Sequence, residues 1–187
     1  GSGNVAIYAH EKTTQLGGKV VAMSDSNGYI YDKDGVNLDT IKRLKEVERK
    51  RIKEYVNEHK HAEYKEGCND IWTIPCEVAL PSATQNEIDG KSAETLVKNG
   101  CIAVAEGANM PCTPEAVEIL LKNNVSFGPG KAANAGGVAT SGIEMQQNSS
   151  RESWTFPVVD EKLHQIMVNI HDAASKAAEE YGTPGNL

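Results

Sequence analysis

The chain has 187 residues and a formal net charge of -7, with a pI near 5.3. That length suits one well-buried core, and no shift in composition calls for a second. The negative field repels phosphate backbones and anionic headgroups, which disfavours nucleic acid and membrane surfaces as partners. No apolar run is long enough to span a bilayer, and the first residues lack a basic segment followed by an apolar core. The expectation is a soluble, cytoplasmic protein. Cys68, Cys76, Cys101 and Cys112 form no CxxC pair and the five histidines form no HExxH, so no metal site is expected and the cysteines read as free thiols.

In chain order, an amphipathic stretch from Asn4 to Leu16 ends at Gly17 and Gly18, a helix with a glycine stop. Lys19 to Met23 is too short and apolar for a helix, and it runs into Ser24-Asp25-Ser26-Asn27-Gly28, so it reads as a buried strand and its loop. Gly28 to Asp32 is a small extended excursion. A long charged helix is expected from Leu38 to Val56, with Ile41, Leu44, Val47 and Ile52 on its apolar face.

The second half has a strand-helix rhythm. Strands are expected over Cys76–Leu80, Cys101–Ala105 and Val125–Phe127, and a helix over Ser92–Asn99. Thr113 as cap and Pro114 at the first helical position open another helix that reaches Asn123. Beyond Gly130 an Ala/Gly-rich helix runs to Asn148, and Thr155 with Pro157 opens a last one reaching Tyr181. Alternating strands and helices predict an α/β fold of Rossmann-like, doubly wound form with a mostly parallel sheet, in which ligands bind at the carboxyl ends of the strands.

Gly1-Ser2-Gly3-Asn4-Val5-Ala6 fits GxGxxA. The first glycine permits a tight turn, the second lets backbone approach a pyrophosphate, and Ala6 allows helix to pack on strand. The strand that should precede this motif is missing from the chain, so the first strand is expected to be truncated. Asp25 ends the next strand about 20 residues on, where an acidic residue commonly holds ribose hydroxyls; it is equally a turn former. ALPSATQNEI (79–88), AEGANMP (105–111) and FGPGKAANAGGVATSGIEM (127–145) place amides and small residues after strands, a lining suited to a flat cofactor. From the residues alone, the reading stops at a nucleotide-binding α/β domain over 1–187.

GSGNVA, ALPSATQNEI, AEGANMPCTPEA and above all GPGKAANAGGVATSGIEM resemble the successive signatures of the cofactor domain of hexameric glutamate dehydrogenases, over essentially the whole chain. The resemblance implies the NADP-binding domain of a two-domain, homohexameric enzyme that deaminates L-glutamate to 2-oxoglutarate and ammonium. Its catalytic residues would lie in a separate substrate domain and none in this chain, which alone would be inactive and a monomer or weak dimer. Gly1, Ser2, Gly3, Asn4 and Val5 would hold the pyrophosphate, and Ser24 and Asp25 would face the adenosine ribose. Ala83, Thr84 and Asn86 would border the cofactor, with Asn109 near the nicotinamide and Asn134 between cofactor and substrate. Val138 and Ser141 would meet the substrate side chain, Ser141 taking the distal carboxylate. Small Ser2 and Ser24 favour NADP over NAD, while Asp25 would repel a 2'-phosphate unless Lys42, Arg43 or Lys45 offsets it.

Alternatives stay open. Asn86, Asn109 and Asn134 also suit helix caps, Ser141 a packing position, and Lys131 an ordinary surface lysine. An NAD-dependent or other amino-acid dehydrogenase and a free-standing nucleotide-binding module are the rival functions.

Overall fold

A computed structural model describes residues 1–187. It contains two three-stranded sheets. One is antiparallel, in the order β1 (Ala22–Ser24), β2 (Gly28–Tyr31), β3 (Glu63–Glu66). The other is parallel, in the order β4 (Val78–Ala79), β5 (Ala103–Ala105), β6 (Ser126–Gly128). The α/β class and the parallel pairing agree with the sequence pattern. The antiparallel sheet is the new element: the excursion at Gly28 is a full partner of β1, and β3 went unread because Glu63, Lys65 and Glu66 give it no apolar signal.

Helices α4 (Gly90–Lys98) and α5 (Pro114–Lys122) are the crossovers of the parallel sheet. Asp89 accepts from the Ser92 amide at 2.8 Å and Thr113 from that of Ala116 at 3.2 Å, so both helices start where a side chain satisfies a free amide. Their buried faces meet the strands in a cluster that includes Ala93, Leu96, Val104, Ala116, Leu120 and Phe127. The antiparallel sheet has its own core, in which Ile7 of α1 (Asn4–Gln15) packs with Met23, Ile30, Ile41, Leu44, Ile52 and Tyr55.

The long helix expected over 38–56 is broken into α2 (Leu38–Lys42), a π-helical turn at Arg43–Val47, a 3-10 turn at Ile52–Glu54 and α3 (Tyr55–Glu58). Between them Arg49 takes a left-handed conformation, φ 55°. The cause is tertiary. Asp25 Oδ2 accepts from the Ile52 amide at 3.2 Å, which draws the chain back to the β1–β2 loop and inserts Ile52 and Tyr55 into the core from a new turn. Val47, expected on the apolar face, is consequently 75% exposed.

After β6 the chain forms α6 (Gly130–Ala133), breaks at Asn134, and continues as α7 (Gly136–Ser150) and α8 (Phe156–Glu180), which pack against each other. No helix is long and apolar enough to cross a membrane. The four cysteines are free, Cys101 and Cys112 buried and the other two half-buried. The edge strands β1 and β4 both line a mainly apolar groove of about 490 Å³, which also takes in Gly1 and Ser82.

Asp32, 1% exposed, closes the far end of the antiparallel sheet, with its amide on the Val21 carbonyl at 2.8 Å. The Tyr55 hydroxyl donates to Asp32 Oδ2 at 2.9 Å, and burial foremost pushes the phenol up to about 12. At the near end there is no room for a side chain on Gly28: a Cβ would lie 2.1 Å from the Lys65 carbonyl oxygen. Gly28→Ala should therefore destabilise the chain by roughly 2–3 kcal/mol, the range of an overpacked site, as measured by urea unfolding.

Candidate functional site

Four loops converge at the carboxyl ends of the parallel strands. Gly1 lies between the two sheets: its nitrogen donates to Ser24 Oγ at 2.9 Å, its carbonyl accepts from the Ser24 amide at 3.3 Å, and a Cβ on it would stand 2.8 Å from the Ser82 carbonyl oxygen. Ser2 is 4% exposed, while Gly3, Asn4 and Val5 face solvent. Gly3 is the N-cap of α1, no side chain caps that end, and no acidic residue lies in its first turn. The helix thus presents free amides and the positive end of its dipole to whatever binds there.

The loop after β4 joins this end through the Pro81 carbonyl, which accepts from the amides of Gly107 and Ala108, each at 3.0 Å. A Cβ on Gly107 would stand 2.7 Å from Ser82 Oγ and 3.1 Å from Val5 Cγ1, so only glycine lets the two loops and α1 approach this closely. Ala83 and Thr84 are exposed along the rim, where the Ala83 amide donates to Glu87 Oε1 at 2.9 Å. Asn86 has φ 57° and its amide donates to the Met110 carbonyl at 3.0 Å.

The loops after β5 and β6 are joined by Asn134, whose Nδ2 donates to the Ala108 carbonyl at 3.2 Å and to Asn109 Oδ1 at 2.9 Å. Beneath them lies Glu106, 6% exposed, which sequence reasoning missed. Its Oε2 accepts from the Gly130 amide at 2.7 Å and its Oε1 from the Cys112 amide at 3.2 Å. A carboxylate after an apolar strand, where every neighbour is small, was the available signal. Burial, with Glu106 alongside, holds the Cys112 thiol well above its ordinary pKa and therefore protonated.

None of the three asparagines is a helix N-cap, those of α4, α5, α6 and α7 being Asp89, Thr113, Pro129 and Ala135, while Asn134 is the C-cap of α6. Asp25 does serve its own turn, accepting from the Asn27 amide at 2.9 Å and that of Gly28 at 3.3 Å. Lys42, Arg43 and Lys45 are otherwise engaged. Lys42 pairs with Glu11 at 2.5 Å, Arg43 with Glu48 and Glu58, and Lys45 donates to the Lys50 carbonyl at 3.3 Å. The cation that does reach the β1–β2 loop is Arg51, whose Nη1 donates to Ser26 Oγ at 2.8 Å. Val138, 80% exposed, and Ser141, whose Oγ donates to the Gly137 carbonyl at 3.3 Å, lie on the open side of α7.

A parallel α/β sheet with its glycine-rich and amide-bearing loops gathered at the strand ends defines an α/β domain of the class in which ligands bind outside the carboxyl ends of the strands. The chain belongs to the Glutamate/Leucine/Phenylalanine/Valine dehydrogenase family, whose model matches residues 1–186. It is 54% identical to the NADP-specific glutamate dehydrogenase of Helicobacter pylori over 193 aligned residues, covering 100% of this chain and 43% of that protein. It is 55% identical to the glutamate dehydrogenase of Bacteroides thetaiotaomicron, covering 98% of this chain and 40% of that one. Among solved structures, a glutamate dehydrogenase of Plasmodium falciparum superposes with a TM-score of 0.91 at 47% identity, over 98% of this chain and 40% of that chain. The chain thus spans about two fifths of the length of these relatives.

Glu106→Gln replaces one acceptor with an amide donor aimed at a backbone N–H. It should lower stability by about 1–3 kcal/mol in urea and weaken the Asn109–Asn134 contact, seen as faster hydrogen exchange at Ala108 to Met110.

Proposed function

We propose that this chain is the NADP-binding part of a two-domain glutamate dehydrogenase that interconverts L-glutamate with 2-oxoglutarate and ammonia. The observation that carries the reading is that the uncapped α1 N-terminus, Gly107 and the Asn109–Asn134 pair lie on loops in direct contact at one end of the parallel sheet. Gly1, Ser2, Gly3, Asn4 and Val5 hold the pyrophosphate by backbone amides, and Ala83, Thr84 and Asn86 border the nucleotide. Asn109 and Asn134 orient the carboxamide end. A nicotinamide held there would supply the hydride donor or acceptor for the α-carbon of the amino acid.

Ser24 lies at the ribose end, where its Oγ already accepts from Gly1. With its carboxylate holding three backbone amides, Asp25 is turned toward its own loop, and Arg51 supplies the positive charge that a 2'-phosphate requires. Relatives named NADP-specific support this choice, and one from Xylanibacter ruminicola is named NAD(P)-specific.

Proton transfer belongs to residues outside this chain. The crevice carboxylates are committed, Glu106 to two amides and Glu87 to the Ala83 amide. Val138 and Ser141 on α7 face the substrate domain, where Ser141 binds the distal carboxylate, and the whole enzyme assembles as a homohexamer through that domain. The groove between β1 and β4, with two strand edges along it, seats the extended segment that a GxGxxA turn needs ahead of it.

Adding NADP to the isotope-labelled chain should shift the amides of Gly3, Asn4, Gly107, Asn109 and Asn134; shifts confined to other faces would reject the crevice as the site. The chain by itself should reduce no NADP with glutamate. In the whole enzyme, Arg51→Ala should raise the KM for NADP roughly tenfold while leaving that for NAD within about twofold, the loss of one charge-assisted contact. Ser141→Ala should reduce kcat/KM for glutamate by at least about tenfold and spare apolar amino acids.

A further inference from the structure

The antiparallel sheet ends in a cluster that the nucleotide reading leaves unused. Asp32, His59 and His61 each offer a ligand atom, and these atoms all lie within 4.8 Å of one another. Asp32 follows β2, and both histidines lie in the segment between α3 and β3, so two pieces of chain distant in sequence meet there.

The charge balance is unusual. Asp32 is 1% exposed, yet no lysine or arginine pairs with it; its one ion-pair partner is His61, with Nε2 3.0 Å from Oδ2. Buried carboxylates are ordinarily paired or bound to a cation. Supporting contacts are in place. Tyr55 donates to Asp32 Oδ2, the Asp34 amide donates to Oδ1 at 3.0 Å, and His59 stacks on the Tyr55 ring at 4.1 Å with its Nε2 3.0 Å from Thr40 Oγ1. Partners of this kind fix the ring and carboxylate orientations of metal ligands. His61 is half exposed, which opens a path from solvent.

We infer that Asp32, His59 and His61 form a binding site for a zinc-class divalent cation that clamps the α3–β3 segment to the end of β2. Two imidazoles and a carboxylate select borderline metals over calcium or magnesium, and water completes the tetrahedron. The 3.0 Å between Asp32 Oδ2 and His61 Nε2 is close to the edge of about 3.3 Å that a zinc tetrahedron requires, and the His59 ligand atom lies within 4.8 Å of both. The site is structural. β2 runs antiparallel to β1, so Asp32 lies beyond Ala22, at the opposite end of that pair from Ser24 and the nucleotide crevice.

Zinc chloride titrated into the 187-residue chain tests this, and it is independent of the nucleotide site. One equivalent should bind, shift the imidazole resonances of His59 and His61, and raise Tm by roughly 5–10 °C at a hundredfold excess over Kd. The His59→Asn/His61→Asn chain should fold, because both rings are at least partly exposed, and should lose at least about a hundredfold in affinity. Cobalt(II) should give the visible bands of a nitrogen–oxygen site without a thiolate charge-transfer band, and Cys68→Ser/Cys76→Ser should bind as the unsubstituted chain does. Equal zinc affinity in the histidine variant, a thiolate band, or unmoved His59 and His61 resonances would overturn the proposal.

Discussion

The buried carboxylate of Glu106, shared between the amides of Gly130 and Cys112, ties together the loops that leave β5 and β6. Without it those loops would diverge, since each is built from small residues with little side chain to pack. The Gly130 position is confined as well, with Glu106 and the Ala108 carbonyl within 3.4 Å of where a Cβ would stand. On this tie rests the Asn134 bridge to Ala108 and Asn109, and from Ala108 the contact passes through Pro81 to the loop after β4. These loops are therefore a connected set of hydrogen bonds, in which the Glu106 and Asn134 side chains hold backbone groups together. Such a set keeps its shape at low entropic cost and leaves the exposed amides available for a ligand.

The antiparallel half is held differently. Its key polar group is Asp32, which gathers Tyr55, His61 and the Asp34 amide at the end of the sheet farther from the crevice. The cluster around Ile7, Ile30, Ile41 and Leu44 makes the core, while Asp25 at the other end gathers three amides, including that of Ile52. Two buried or half-buried aspartates thus pin opposite ends of one small sheet. The same Asp25 contact brings the turn after α2 to the β1–β2 loop and places Arg51 at Ser26.

Local signals in the sequence were sufficient for the helices with caps and stops. α1, α4, α5 and α8 begin and end within about two residues of expectation, because glycine, proline and capping side chains act on their immediate neighbours. The glycine motif and the amide-rich segments were legible for the same reason, and so was the family, whose signatures are contiguous. β3 and the break in the helix over 38–56 were not legible. A charged edge strand has no apolar alternation, and Arg49 turns because Asp25, 24 residues earlier, captures the next turn.

Chain chemistry by itself determined the α/β class through periodicity and the family through contiguous motifs, and it marked the loops proposed to border the nucleotide. Tertiary structure alone decided that Lys42, Arg43 and Lys45 are occupied while Arg51 is free to meet the β1–β2 loop, and that Glu106 is the tie beneath the asparagines. It also decided that Asp32 meets His59 and His61. The physical reason is common to all three: an ionisable side chain acquires its role from the partner that burial forces on it, and that partner is distant in sequence.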